Sequence, residues 1–392
     1  MSCDTKPGFA LYSSLLTPYS LLSATAHCSL LTAHCSLLTA HFLLSLPLTL
    51  TLPSDKLAAA RTFAQGLTPG QRVCVTTHVN PDGDGLGSEA GLIHLLRAAG
   101  VDAVVTNPTA TPSRFSFLFD DLPGADRTGE AVKELRRADH IIVLDISDLD
   151  RLGMLSHTVR DRGVPVGCVD HHVSTGVLPP GPRYLDPDAA ATGELIFELA
   201  LANGWPLTQP AARGLYVAIL TDTGGFRFSN TRPRTLRVAA ELLETGVDPE
   251  EIYLEVYARA PEGRPRLFAE ALQTLVVEPE HGLAWVTVPP GAIERLGVTS
   301  DDLDGVVDFP RTIEGVRMAL LFREVSQGRV KVSLRSVGNV DVAAFAKAFG
   351  GGGHTKAAGL ALPGSMAEVQ ATVLTAARAY LGANDAARVK AG

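Results

Sequence analysis

The stretch VCVTTHVNPDGDGLGS, Val73 to Ser88, decides how the chain is read. Val73 to Thr77 is a short apolar, β-branched run of the kind that forms a buried strand. A helical pattern starts near Leu86, so His78, Asp82 and Asp84 are expected in the connecting loop. In an open α/β sheet that loop lies at the carboxyl end of the strand, where ligands bind. One imidazole and two carboxylates suit a hard to borderline divalent cation such as manganese. Asp82 and Asp84 flank a glycine, so in an extended turn each can face a different ion. Asn, Pro, Asp and Gly are also the ordinary turn formers, and the stretch alone does not separate a metal loop from a plain turn.

Working outward, the 392 residues suggest two or three domains. A content of 46% hydrophobic and 19% charged residues is that of a chain able to bury a full core. The net charge of −8 argues against a general nucleic-acid coating protein, and a small anionic substrate then needs local positive charge or metals. Five cysteines without a CxxC pair give no disulfide framework and suit a reducing cytoplasm. Residues 1–52 stand apart. AHCSLLT begins at Ala26 and again at Ala33, then AHF at Ala40, placing His27, His34 and His41 seven apart. The segment reads either as a metal-binding tract or, preferably, as a low-complexity, disordered extension. Its apolar run FLLSLPLTLTL lacks a basic flank and is too short and proline-interrupted to span a bilayer.

From Ser54 the pattern is regular. A serine-capped helix (SDKLAAARTFAQGL) precedes the Val73 strand, and the helix SEAGLIHLLRAAG follows the loop. DAVVTN, HIIVLDIS and VPVGCVDHH are further strands, the last two ending in Asp145 and in Asp170-His171-His172. Strands alternating with helices at this spacing predict a doubly wound, mainly parallel α/β sheet. A carboxylate at the end of a buried strand is costly unless compensated. The adjacent histidines point different ways, one toward a metal and one toward substrate. Asp170 can orient a ring from behind. After a loop carrying PDAAATG, two helices lead to TDTGGFRFSNT. There Asp222 ends a buried helix, Gly224 and Gly225 allow close backbone approach, and Arg227 and Asn230 offer donors. Asp145 and Asp222 also have plain readings as helix-cap or turn residues. Together the half-chain offers His78, Asp82, Asp84, Asp145, His171 and Asp222 as candidate ligands, able to hold two ions if Asp145 bridges.

HVNPDGDGLGS, VLDIS, VDHH and ILTDTGGFRFSNT, in this order, resemble the four motifs of the DHH phosphoesterase superfamily. The resemblance implies a first metal on His78, Asp82 and Asp145, and a second on Asp84, Asp145, His171 and Asp222. It also implies that His172 faces substrate, with Asp170 behind it. The later SLRS and GGGGHTKAAG resemble the DHH-associated C-terminal domain. From that likeness Arg335, Gly351, Gly352, Gly353, His354 and Lys356 are expected to hold substrate, with Arg227 across the cleft. Glycine amides reach phosphate oxygens readily, and His354 is expected to lead into a helix whose dipole helps. Between Arg311 and Lys356 eight Lys/Arg stand against three Asp/Glu.

The expected organisation is an extension (1–52), a catalytic α/β domain (53–245), a helical linker (246–270), a smaller α/β substrate-binding domain (271–382) and a tail (383–392). The resemblance is to the nanoRNase/pAp phosphatase branch. It implies a phosphoester hydrolase using two Mn(II) ions, with Mg(II) or Co(II) as alternatives. His172, Asp84 and Asp145 are the expected catalytic residues. The implied substrates are short RNA oligonucleotides and small nucleotides such as pAp (3′-phosphoadenosine 5′-phosphate). Long nucleic acid and membranes are not expected as partners, and a homodimer is a candidate assembly. A cyclic dinucleotide phosphodiesterase and a non-catalytic nucleotide sensor are the competing readings.

Overall fold

The computed structural model describes residues 50–391 apart from Thr175, Ser326 and Gln327, with backbone alone for His354 and residues 384–391. The repeated histidines His27, His34 and His41 lie outside the described residues. Leu50 and Leu52 already pack on the first core.

The first sheet is built from β1 (Arg72–Thr76), β2 (Asp102–Val105), β3 (His140–Leu144), β4 (Val166–Asp170) and β5 (Arg183–Leu185). All pairs are parallel and the order is β2-β1-β3-β4-β5. The chain leaves β1 to one side for β2 and returns on the other for β3, so the crevice between β1 and β3 is the topological switch point. Strand residues alternate between two cores. Val73, Val75, Ala103, Ile142, Leu144 and Val169 face one; Cys74, Val104, Ile141, Val143 and Cys168 face the other. Burial on both faces is what a parallel sheet covered by helices requires.

The helices of this half are α1 (Ser54–Ala64), α2 (Gly83–Ala98), α3 (Ala131–Leu135), α4 (Ser156–Asp161), α5 (Thr192–Asn203), α6 (Gln209–Asp222) and α7 (Pro233–Glu244). Two local expectations shift. Ser54 is the first residue of α1 rather than its cap, which is Pro53. Helix α2 begins at Gly83, before Leu86, because the Asp82 carboxylate caps it by accepting from the amides of Asp84 and Gly85. Asp84 therefore sits in the first helical turn and not in the loop.

A glycine seam sets the distance between α2 and α6. A Cβ on Gly87 would lie 2.5 Å from the Gly214 carbonyl oxygen and 2.7 Å from the Ala218 nitrogen; on Gly83 it would meet the Thr221 side chain at 2.5 Å. The start of α2 is thereby laid against the end of α6. Outside, a buried ion cluster ties four elements together. Arg234 of α7 pairs with Asp186 (3.1 Å), Glu194 (2.9 Å) and Glu198, Lys56 of α1 pairs with Asp186, and the Tyr184 hydroxyl of β5 donates to Glu198 at 2.6 Å.

Helices α8 (Pro249–Tyr253) and α9 (Gly263–Gln273) lead to the second sheet, and Asp248 caps α8. That sheet holds β6 (Val276–Glu278), β7 (Leu283–Thr287), β8 (Met318–Val325), β9 (Arg329–Ser336), β10 (Gly352–His354) and β11 (Ala357–Pro363), in the order β10-β11-β9-β8-β7-β6. Only β7 and β8 run parallel. Helices α10 (Ala292–Arg295) and α11 (Asp308–Arg311) lie between β7 and β8; α12 (Val342–Lys347) and α13 (Met366–Ala391) follow β9 and β11. The glycine run departs from expectation. It enters a β-hairpin, β10 against β11, and not a helix. A Cβ on Gly351 would lie 2.3 Å from the Gly359 carbonyl oxygen, so at that position glycine serves strand approach. No helix dipole backs the run. Among the described residues no helix is long and apolar enough to cross a membrane.

Candidate metal centre and facing cleft

Three strands deliver side chains to the same end of the first sheet. The loop after β1 supplies His78, β3 runs into Asp145, and β4 ends at Asp170 before His171 and His172. Asp82 and Asp84 come from the start of α2, and Asp222 from the last turn of α6, brought over by the glycine seam. Asp145 adopts φ +57°, a left-handed conformation uncommon for a residue with a side chain. That turn takes the chain out of the strand at the point where the carboxylate is needed.

The two oxygens of Asp145 face two different groups. Oδ2 lies 3.5 Å from His78 Nε2, which is itself 3.7 Å from Asp82 Oδ2. Oδ1 lies 3.6 Å from His171 Nε2 and 3.4 Å from His172 Nδ1. His171 Nε2 is in turn 3.5 Å from both Asp84 Oδ2 and Asp222 Oδ2. Two donor sets result, His78/Asp82/Asp145 and Asp84/His171/Asp222, each with its atoms within 4.8 Å of one another. Asp145 stands between them.

Several side chains are held from behind. His78 Nδ1–H donates to the Val79 carbonyl at 2.9 Å, so Nε2 is the nitrogen that faces the site and offers a lone pair once the ring gives up its second proton. Asp84 accepts from the Thr192 and Gly193 amides at 2.7 and 3.1 Å and from the Ser88 hydroxyl at 3.1 Å. The first turn of α5 thus points its unpaired amides at a carboxylate, as helix starts do. The Thr192 hydroxyl donates to Asp145 Oδ1 at 3.2 Å. His172 Nδ1–H donates to Asp170 Oδ1 at 2.7 Å, and Asp170 is fully buried.

The electrostatics fit a bound cation. Asp84, Asp145 and His78 are each at most 5% exposed. Burial, then the charges of Asp145 and Asp222, push the Asp84 carboxyl well above its ordinary range. Burial, opposed by His171 and reinforced by Asp145, pushes Asp222 up to about 6. Burial would also raise Asp145, but the facing His78 ring and the charges of His172 and His171 hold it well below the usual carboxylate range. Burial opposes the charge on His78, yet Asp145 and Asp82 carry it up to about 10. His78 Nε2 and His171 Nε2 are buried without a hydrogen-bond partner while aimed at carboxylates. Buried nitrogens facing the buried carboxylates of Asp145 and Asp84 at 3.5–3.6 Å, too far for good hydrogen bonds, are a donor set that a divalent cation completes.

A cleft of about 770 Å³ opens beside this cluster, walled on one side by Asn80, Asp82 and Arg114 and on the other by Arg323, Lys331, Ser333 and Arg335 of the second sheet. The Arg114–Asp304 ion pair, 2.8 Å, crosses between the two halves. Arg335 faces this cleft as the sequence suggests. Gly351, Gly352 and Gly353 are not among its lining residues, and the side chain of His354 lies outside the described ones. Lys356 is turned away, with its ammonium on the Gly338 and Val340 carbonyls. Arg227 is exposed and donates to the Gly224 carbonyl at 2.6 Å. Asn230, offered as a donor, instead binds the carbonyls of Ala190 and Asp222. Both Lys356 and Arg227 are thus placed outside the cleft by local backbone capture. Thr192, Gly193, Arg323 and Lys331 escaped the sequence reading. The only cue to the first two was the small-residue run AAATG before a helix.

Known proteins resemble both halves of the chain. The N-terminal domain of the DHH family matches residues 72–219, and the DHHA1 domain matches residues 287–383. The chain is 34% identical over 301 residues to the bifunctional oligoribonuclease and PAP phosphatase NrnA of Thermus thermophilus, covering 74% of this chain and 84% of that protein. It is 28% identical over 297 residues to the protein of the same name from Bacillus subtilis, covering 73% and 87%. Among solved structures it resembles an exopolyphosphatase-related protein from Bacteroides fragilis, with TM-score 0.77 and 28% identity over 83% of this chain and 97% of that one. Two domain matches in order, together with a relative above 30% identity across most of its length, establish that the chain belongs to the DHH family of phosphoester hydrolases, with a DHHA1 domain behind the DHH domain.

Proposed function

We propose that the protein is a manganese-dependent phosphoesterase that cleaves short oligoribonucleotides to mononucleotides and removes the 3′-phosphate of pAp. The observation that carries this reading is Asp145, whose two oxygens face two separate donor sets. Such a shared carboxylate is the hallmark of two-ion phosphoryl transfer. On this reading His78, Asp82 and Asp145 hold one cation, and Asp84, Asp145, His171 and Asp222 hold the other. The chemistry such cations supply when bound is Lewis-acid polarisation of phosphoryl oxygens and of a water.

The remaining work falls to the chain. Burial opposes a charge on His172, but Asp170 and Asp145 raise its pKa above the ordinary value, so with Nδ1–H held by Asp170 the protonated ring offers Nε2–H to a phosphoryl oxygen. The Thr192 and Gly193 amides keep Asp84 oriented. Arg335, from the opposite wall, pairs with a non-bridging phosphate oxygen, a geometry that suits guanidinium. The cleft has the volume of a small-ligand site, which favours short substrates. Residues 53–245 are taken as the catalytic domain and 271–382 as the substrate-binding one. The buried free cysteines Cys74 and Cys168 suit a cytoplasmic setting.

The test is a product profile on pApA, pAp and cyclic di-AMP with manganese. AMP from the first two and none from the third is expected. Turnover of cyclic di-AMP alone would move the protein to the cyclic dinucleotide phosphodiesterases, and binding without turnover would make it a sensor.

A further inference from the structure

The geometry points to a second anion subsite, formed by Arg323 and Lys331, that grips a phosphate other than the one being cleaved. Strand register places these two residues directly opposite each other on β8 and β9. They share a sheet face with Leu321, Ser333 and Arg335, while Leu320, Phe322, Val330, Val332 and Leu334 point into the core behind. Like charges directly opposite on neighbouring strands repel, and a fold without a use for the pair gains by replacing one.

Counter-charge is what sets the pair apart. Two other cations line the cleft, and each has a carboxylate: Arg114 pairs with Asp304 at 2.8 Å, and Arg335 approaches Asp308 at 3.7 Å. Among the described residues neither Arg323 nor Lys331 has a carboxylate within ion-pair distance; Asp301 lines the same cleft and its charge reaches both, but it pairs with neither. Arg323 is half-buried, and burial lowers its pKa, so the cation is held there against a solvation cost. A guanidinium beside an ammonium, with the Ser333 hydroxyl on the same face, matches a dianionic phosphate monoester better than a singly charged diester.

The inference rests on the phosphoesterase reading and gives its two substrates one explanation. In pAp and in a 5′-phosphorylated dinucleotide the same ribose carries a phosphate on O5′ and another on O3′. In both, water adds to the phosphorus on O3′, the P–O3′ bond breaks, and O3′ leaves with a proton derived from that water. The products are AMP and inorganic phosphate from pAp, and two AMP from pApA. With the O3′ phosphorus beside Asp82 and the metal cluster, the O5′ phosphate is what Arg323 and Lys331 take from the facing wall. Specificity then lies in the second phosphate rather than in chain length.

The experiment compares pAp with 3′-AMP, which presents the same bond without the O5′ phosphate. The wild-type protein is expected to favour pAp at least tenfold in kcat/KM. In the double variant R323Q/K331Q that ratio collapses toward one, chiefly through KM, and in R323K/K331R it is restored. A wild-type ratio near one, or a variant that loses equally on both compounds, overturns the subsite. Calorimetric binding of pAp and 3′-AMP to the cation-free protein separates the two layers. Selective weakening of pAp by R323Q/K331Q supports the subsite even if neither compound is turned over, a result that would count against the proposed activity alone. Equal binding of both compounds to wild type overturns the subsite.

Discussion

Replacing Gly87 by alanine tests whether the helix seam builds the metal centre. The new Cβ would sit 2.5 Å from the Gly214 carbonyl oxygen and 2.7 Å from the Ala218 nitrogen. Both are backbone atoms, so no side chain can rotate away. Restoring ordinary contact near 3.4 Å requires about 1 Å of separation between α2 and α6. Overpacking of this kind costs about 1–3 kcal/mol, which for a domain of this size lowers Tm by roughly 3–10 °C. The same shift moves Asp82 and Asp84 on α2 relative to Asp222 on α6. A misplacement of ~1 Å at a reacting centre costs about 100-fold in rate. Differential scanning calorimetry in EDTA reads the first effect, and kcat on pAp with saturating manganese reads the second. Gly129→Ala is the control, because nothing lies within 4 Å of its added Cβ. A G87A protein that melts within a degree of wild type and turns over within twofold would refute the argument that this seam sets the spacing of the carboxylates.

Four further outcomes are expected. Asp145→Asn removes the carboxylate shared by both donor sets, so manganese should no longer raise Tm, where wild type gains ~2.7 kcal/mol at 100 times Kd; an undiminished manganese shift rules out a bridging role. The carboxyls of Asp84 and Asp222 must shed protons to bind a cation, and Asp222 stands at about 6, so manganese affinity measured by calorimetry should fall as pH drops through 6. The sign for stability is the reverse. Asp222 lies above its ordinary value of 3.8 when folded, so the cation-free protein should lose stability as pH rises through about 6, and added manganese should reverse that loss. Arg234→Met leaves the fully buried Glu194 and Glu198 short of a partner, at a cost of about 3–5 kcal/mol; a melting temperature unchanged by more than a degree or two contradicts that account.

Much of the first domain was legible because its strands are continuous apolar runs that stop at charged residues. Val73–Thr77, HIIVL and VGCVD each end where the sheet ends, and the alternation of helices fixed a parallel arrangement. Asp84 was misplaced into the loop because the first turn of α2 is rich in glycine, with Gly83, Gly85 and Gly87. Local propensity there disfavours helix, and only packing against α6 with the Asp82 cap makes it one. The glycine run before His354 failed for a related reason. KAAGLAL reads as helix by composition, but register with β9 makes it a strand, and pairing of that kind is set far away in sequence. Thr192 and Gly193 act through main-chain amides, which carry no residue-type signal. Lys356 and Arg227 were plausible donors by charge, and nothing in a linear sequence shows that nearby carbonyls capture them. Arg323 and Lys331 are three-dimensional neighbours only because one hairpin sets them side by side.

The position of Asp222 at the end of α6 has a consequence for how the enzyme comes into being. During synthesis His78, Asp82 and Asp84 leave the ribosome first, then Asp145, then the histidine pair, and Asp222 last. Parallel strands cannot pair with their neighbours until a whole crossover has been made, and the Asp84/His171/Asp222 set lacks its last carboxylate until α6 docks. A nascent chain that stops short of Asp222 therefore carries every residue of the His78/Asp82/Asp145 set and an unfinished second set. On the proposed two-cation reading, the second set is in this way completed only when the domain has closed on itself.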